Sequence, residues 1–171
     1  MRQASEAAFS EFARDAWGPL YRSAVVITGD RQLAEDLVQT ALVKTYVAWP
    51  RLRAEEKARA YTRRAMVNAA RDWFRKRSWT HENSSELGAD AGVPGDDHAT
   101  ALVDRVTVAD VLKLLPAGQR AVVALRFLED LSVQETADLL NVSTGTVKSQ
   151  TSAALAALRS SHLVPEGDRH D

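Results

Sequence analysis

The sequence predicts an all-α protein of two small helical domains joined by a flexible acidic linker, the second domain built on a helix-turn-helix. Three observations carry that expectation. Apolar residues recur at spacings of three and four almost throughout, and no convincing run alternates with period two. The stretch THENSSELGADAGVPGDDHA, which begins at Thr80, holds only Leu87 and Val93 as large aliphatics, too few to offset the entropy of ordering. The segment SVQETADLLNVSTGTVKSQTSAALAAL (Ser132–Leu158) reads as two helices about a tight turn. The expected boundaries are 1–79 for the front domain, 80–101 for the linker, 102–160 for the rear domain and 161–171 for a frayed tail.

In the front domain Phe9, Phe12, Ala16, Leu20, Ala24 and Ile27 trace one helical stripe. Gly18-Pro19 is expected to kink or interrupt it, because a proline removes a hydrogen bond and crowds the preceding turn. Gly29 can adopt the left-handed conformation that ends a helix, and Asp30 can cap the next one. That second helix, roughly Arg31 to Trp49, carries Leu33, Leu37, Val38, Ala41, Leu42, Thr45, Tyr46 and Trp49 on a wide inner face, and Pro50 ends it. A third helix runs from about Glu55 to Arg77, with Ala58, Tyr61, Ala65, Met66, Ala69, Trp73 and Phe74 inward. One of Trp73 and Phe74 is expected to be buried, whereas Trp79, just past the helix, is the freer ring.

In the rear domain Leu102, Val106, Ala109 and Leu112 or Lys113 mark a first helix, and Pro116 sits where another begins. Val122, Val123, Leu125, Phe127 and Leu128 mark that second helix. Ser132 is positioned as an N-cap, with Glu135 three residues later completing a capping box. Asn141 suits a left-handed turn, and Ser143 can cap again. Thr146 to Leu158 is the last helix, with Val147, Ala154, Leu155 and Leu158 inward and Thr146, Lys148, Ser149, Gln150 and Ser152 outward. That outer face is small, polar and almost free of acids, as a helix lying among base edges in the DNA major groove requires.

The formal net charge of −1 conceals an uneven distribution. Residues 1–79 carry a net of +6, residues 80–104 carry six acids and no base, and residues 105–171 are close to neutral. A basic front favours phosphate backbones, and an acidic run can imitate one. The basic residues concentrate between Arg51 and Arg77, ten Lys/Arg against three acids, and end in ARDWFRKRSW. Cations bind phosphates and aromatic faces accept unstacked bases, so this interleaving suits melted single-stranded DNA better than duplex. There is no cysteine, hence no disulfide or thiolate metal site, and His81, His98, His162 and His170 fall in the linker or near the tail, so no metal or other cofactor is expected. No signal-peptide core and no apolar run approaching ~18 residues is present, which points to a soluble, cytoplasmic protein without membrane contact. No Ser/His/acid set or phosphate-cradling glycine loop supports an enzyme.

The chain resembles the extracytoplasmic-function sigma factors, the smallest members of the sigma-70 family of bacterial RNA polymerase subunits, over about residues 5–160. AEDLVQTALVKTYVAW (Ala34–Trp49) is similar to the family helix that docks on the clamp of the polymerase's largest subunit. RRAMVNAARDWFRKRSW (Arg63–Trp79) is similar to the reader of the −10 promoter element. LPAGQRAVVALRFLEDLSVQETADLLNVSTGTVKSQ (Leu115–Gln150) is similar to the −35 reader. The resemblance implies a three-to-four-helix sigma region 2 domain in front and a helix-turn-helix sigma region 4 bundle behind.

The same resemblance implies roles for particular residues. Asp36, Gln39, Thr40, Val43 and Lys44 would face the polymerase. Arg64, Asn68, Arg71, Asp72, Arg75, Lys76, Arg77 and Trp79 would meet −10 DNA, with the last four near the pocket that holds a flipped base. Ser143, Thr144, Thr146, Lys148, Ser149, Gln150 and Ser152 would meet the −35 element. The implied partners are core RNA polymerase (its clamp and the flap of the second-largest subunit), promoter DNA and an anti-sigma factor. One departure stands out. The family's recognition helix commonly carries several arginines after TVKS, whereas QTSAALAALR offers alanines, so weak autonomous −35 binding is expected. The alternative is a helix-turn-helix regulator that does not replace a sigma subunit, which leaves the clamp-like helix and the basic aromatic helix unexplained.

Overall fold

The computed structural model describes residues 2–52, 54–83 and 108–160, with side chains for 5–52, 54–77 and 110–160. Helix α1 (Arg2–Thr28) runs through Gly18-Pro19 without the expected interruption. Pro19 and Asp15, whose carbonyl would have accepted the missing amide hydrogen, are both exposed, so that carbonyl can turn to water. Gly29 then takes φ +71, and its amide reaches back to the Val25 carbonyl at 2.8 Å. Asp30 accepts from the Leu33 amide at 3.0 Å and opens α2 (Arg31–Ala48). A short 3-10 turn (Trp49–Arg51) carries Pro50 and leads to α3 (Glu55–Asn83). Glu55 and Glu56 sit at the positive end of that helix's dipole.

Three long helices bury one stripe each. Phe12, Ala16, Leu20, Ala24 and Ile27 of α1 meet Ala34, Leu37, Val38 and Ala41 of α2 and Ala58, Ala65, Met66, Val67 and Ala70 of α3. Tyr46 and Tyr61, expected inward, are 48% and 38% exposed. Tyr46 instead lies over the Phe9 ring at 4.9 Å, at the rim of the core. The place expected for Tyr61 is taken by Thr62, which is fully buried and lies 2.8 Å from the equally buried Thr45 hydroxyl. Neither Trp73 nor Phe74 is fully buried; both are half-exposed, edge to face at 5.1 Å. The backbone of Trp79 belongs to α3, because the helix continues to Asn83 instead of ending near Arg77. The Trp79 ring lies outside the described side chains.

The rear half comprises α4 (Val108–Leu114), α5 (Ala117–Val123) continuing into a π turn (Ala124–Leu128), α6 (Val133–Leu140) and α7 (Thr144–Ser160). The expected start of α4 at Leu102 lies outside the described residues. Pro116 is the residue just before α5. Val147 of α7 packs on Ala137 and Val122, and Ala154 packs on Leu112, Leu115 and Val123. The halves do not stand apart: Ala124, Leu125, Leu131 and Leu139 join the same apolar cluster as α1, α2 and α3. No strand occurs among the described residues.

Candidate nucleic-acid interface

The helix-turn-helix is set by local chemistry. Ser132 is in extended conformation, its Oγ accepts from the Glu135 amide at 3.1 Å, and Glu135 Oε2 accepts from the Ser132 amide at 2.8 Å. The Ser132 amide holds the Glu135 carboxyl below its ordinary pKa. Asn141 ends α6 in the left-handed region, φ 56 and ψ 48, which a short polar side chain tolerates. Two residues on, Ser143 Oγ accepts from the Thr146 amide at 3.0 Å and starts α7, two residues earlier than the sequence suggests. The first turn of α7 has no acid, so its partial positive charge is free to favour a phosphate.

Along α7, Thr146, Lys148, Ser149 and Ser152 are exposed, while Thr144 and Gln150 are half-buried. Ser143 is exposed, but its Oγ is engaged in the cap and lies 2.9 Å from the Thr146 hydroxyl. Ser149 donates to the Thr146 carbonyl at 3.0 Å. Leu155 and Leu158 are half-buried.

On α3, Arg64, Asn68, Arg71 and Arg75 follow one another at spacings of four, three and four, and all are exposed. Asp72, also exposed, pairs with Arg75 at 3.1 Å. Lys76 and Arg77 are exposed, and the Arg77 guanidinium lies 5.2 Å from the Trp73 ring centroid, within cation–π range. This places a cation beside a half-exposed aromatic ring, the two kinds of group that single-stranded nucleic acid engages.

On α2, Asp36, Gln39, Thr40, Val43 and Lys44 are all exposed, with Gln39 donating to Glu35 at 3.2 Å. Val43 is 63% exposed and Val47, one turn on, is 76% exposed. Sequence reading missed Val47. The signal was present, since Val43 and Val47 are apolar yet fall off the stripe of Ala34, Leu37, Val38, Ala41 and Thr45 that the helix buries. A second missed apolar group, Leu114, Phe127 and Leu128, is 81%, 54% and 49% exposed on the rear half.

The structure brings two of the three faces together. Asn68, Arg71, Asp72 and Arg75 of α3 share one cleft of about 740 Å³ with Thr146 and Gln150 of α7, and Lys44 reaches its rim from α2. Among the described residues no group of three or more His, Asp and Glu could hold a metal, and no helix is long and apolar enough to cross a membrane.

The family models for sigma-70 region 2 and sigma-70 region 4 match residues 10–80 and 105–158. The chain is 42% identical to the RNA polymerase sigma-E factor of Streptomyces avermitilis, over 88% of this chain and 83% of that protein. The chain belongs to the extracytoplasmic-function sigma factors of the sigma-70 family. It is also 32% identical to the ECF RNA polymerase sigma factor SigL of Mycobacterium tuberculosis, over 82% of this chain and 80% of that one. The sigma factor RpoE of Bartonella quintana, solved in complex with the anti-sigma factor NepR, shares the fold, with a TM-score of 0.70 at 21% identity over 93% of this chain and 99% of that one. Membership makes the chain a transcription initiation subunit that works with RNA polymerase, and it identifies the two helical halves as sigma regions 2 and 4.

Proposed function

We propose that the chain directs core RNA polymerase to promoters by dividing the work among its three faces, and that it carries out no covalent chemistry. The exposed face of α2, Asp36, Gln39, Thr40, Val43 and Lys44 together with Val47, docks on the clamp. The exposed apolar group Leu114, Phe127 and Leu128 offers region 4 a second polymerase contact, suited to the flap. Region 4 (residues 102–160) reads the −35 element as duplex with Thr144, Thr146, Lys148, Ser149, Gln150 and Ser152, while Ser143 shapes the helix start. Region 2 (residues 1–79) captures melted −10 bases with the α3 stripe and the Trp73–Arg77 pair, so that base capture, which offsets the few kcal/mol of unstacking, drives strand opening. The acidic segment 80–101 tethers the two and competes for basic surface on the polymerase, and the tail 161–171 takes no part. The work is done in the cytoplasm, where polymerase meets DNA.

The observation that carries this reading is the pattern of exposure on amphipathic helices. Both α2 and α3 bury one stripe against the core and leave a second set of side chains exposed outside it: Val43 and Val47 among polar neighbours on α2, and Arg64, Asn68, Arg71 and Arg75 on α3. The Bartonella quintana relative is bound to an anti-sigma factor, and a regulator of that kind would silence this chain by covering these faces.

The test is promoter-dependent transcription by purified core polymerase with and without the protein. Start-site-specific transcripts that require the protein are expected. Specific DNA binding without any association with core polymerase would favour an independent helix-turn-helix regulator.

A further inference from the structure

The cleft between α3 and α7 has a lining that DNA reading does not account for. It holds three cations, Lys44, Arg71 and Arg75, against one acid, Asp72, for a net charge of +2. Asp72 is paired with Arg75, and no acid among the described residues pairs with Arg71 or Lys44. Much of the remaining wall is aliphatic: Val67 and Ala70 of α3, Ala121 and Val122 of α5, and Leu140 and Val142 at the α6–α7 turn. A run of DNA phosphates has no use for such a wall, and an unstacked base meets only one ring in it, Phe74.

Size narrows the occupant. The cleft of about 740 Å³ falls inside the ~300–1,000 Å³ range of small-molecule sites. It equals fewer than roughly two turns of a helix ~10 Å wide, too little for a partner helix to bury a face. The walls are also set by bonds outside the cleft. At the seam between the two halves, Glu129 of the π turn accepts from Ser23 Oγ of α1 at 2.5 Å and from Arg63 Nε of α3 at 2.8 Å. Arg120 of α5 donates to the Ile27 carbonyl at 3.2 Å, at the end of α1, whose last turn holds no basic residue of its own. These bonds use none of the cleft's cations, and a site formed in advance loses little affinity to ordering.

We infer that this cleft binds a small organic phosphate, a phosphate monoester on an apolar body. A carboxylate brings one negative charge to a lining of net +2, whereas a phosphate monoester brings about 1.5–2 at pH 7. The planar Arg71 guanidinium suits two phosphate oxygens at once, and Lys44 adds a point charge. Asn68, Thr146 and Gln150 offer further donors, and the body of the ligand lies on the aliphatic wall. The site rests on the lining alone; its consequence rests on the function proposed above. Asn68, Arg71 and Arg75 cannot hold this ligand and −10 DNA together, so an occupied cleft excludes DNA from α3.

The probe is 1-naphthyl phosphate, titrated calorimetrically into the full chain, with 1-naphthol and inorganic phosphate as its separate halves. The whole probe should bind at least about tenfold tighter than either half, because both kinds of wall are engaged. Arg71→Gln removes a charged hydrogen-bond donor and should weaken the probe about tenfold or more. A Cβ at Gly118 meets nothing nearer than the Gln150 side chain at 3.9 Å, so Gly118→Leu has room to fill the cleft, and Ala121→Leu fills it from the next turn of α5. Both leucine variants should lose the probe with helix content retained. Arg71 is exposed, so its variant keeps the test decisive if a leucine disturbs the packing. Inorganic phosphate binding as tightly as the probe overturns the site, and so does full affinity in Arg71→Gln or in both leucine variants. A saturating single-stranded oligonucleotide should displace the probe. A probe that obeys the variants yet stays bound beside the oligonucleotide leaves the site standing and overturns the assignment of Arg71 to −10 DNA instead.

Discussion

Ser132 and Glu135 hold each other's backbone amides, at 3.1 and 2.8 Å, at the entry to the helix-turn-helix. The Glu135 carboxyl sits below its ordinary pKa chiefly because the Ser132 amide donates to its ionised form. A carboxyl whose folded pKa is depressed contributes stability that is complete above its unfolded pKa and is lost as pH falls through the lower, folded value. Acidification below the usual glutamate range should therefore cost the native chain more stability than it costs Glu135→Gln. Urea unfolding of both at neutral and acid pH checks this, and parallel losses would contradict it. Ser132→Ala should cost about 1 kcal/mol at neutral pH, the usual value of an N-cap.

Asn141 makes the turn between α6 and α7 at φ 56 and ψ 48. Asn141→Gly relieves the only steric objection to that conformation and should leave stability within a few tenths of a kcal/mol. Asn141→Val places a β-branched residue where it clashes with its own backbone, and should cost at least about 1–2 kcal/mol. Because α7 is aimed by this turn, the valine variant should lose duplex affinity beyond what its unfolded fraction explains. Equal stabilities of the two variants by chemical denaturation would mean that the turn relaxes to another conformation.

These caps were legible in the sequence because capping is local: Gly29 and Asp30, Ser132 and Glu135, Asn141 and Ser143 each act within four residues. The inner stripes of α1 and α2 were legible through their period. The seam was not. Ser23 and Glu129 are 106 residues apart, Arg63 and Glu129 are 66 apart, and no periodicity encodes such a pairing. Arg120 looked like any helix cation until the bare end of α1 lay beside it. Tyr61 was misplaced because hydrophobicity favours a ring inward, whereas the α2–α3 contact is too close for one and takes the smaller Thr62. Of the candidate site, the exposed polar positions on α2, α3 and α7 followed from helical phase. Val47, Leu114, Phe127 and Leu128 did not, because apolar residues in a helix are read as core by default.

Thr45 and Thr62 offer two hydroxyl protons to three contacts: each other at 2.8 Å, the Ala41 carbonyl at 2.8 Å and the Ala58 carbonyl at 2.7 Å. Removing one hydroxyl leaves the other with a carbonyl to bond. Thr62→Val should thus cost less than about 1 kcal/mol, and Thr45→Val with Thr62→Val should be close to neutral, since both polar partners go together and valine keeps the shape. Thr62→Ala leaves a cavity between α2 and α3 and should cost more than either. A double valine variant much less stable than each single one, by thermal unfolding, would show that the pair contributes more than its bonds to the backbone.

The α2 face separates docking from folding. Val43 and Val47 are 63% and 76% exposed and make no part of the core, so Val43→Asp with Val47→Asp should leave the unfolding midpoint unchanged. Full burial of a valine is worth about 1.5–3 kcal/mol, so losing either from the interface should weaken core polymerase binding about tenfold or more. Asp36→Ala with Gln39→Ala should also weaken it. Unchanged affinity in both double variants, measured by competition for core enzyme, would remove α2 from the docking surface.

On the DNA side the two halves should respond differently to lost charge. Lys148 is the one cation on the outer face of α7 before Arg159, so Lys148→Ala should lower the slope of log affinity against log salt by about 0.9 and weaken duplex binding equally across sequences. A loss confined to one base position would mean that Lys148 reads a base edge. Charge reversal at Arg75, Lys76 and Arg77 acts on another step. It removes the cation beside Trp73 and the cationic end of the α3 stripe, both remote from Val43 and Val47 in sequence and on a different helix. Core polymerase should still bind such a variant and still be brought to duplex promoter DNA, while permanganate footprinting should show the −10 strands unopened. Opening at normal levels would mean that melted bases are held elsewhere than on α3.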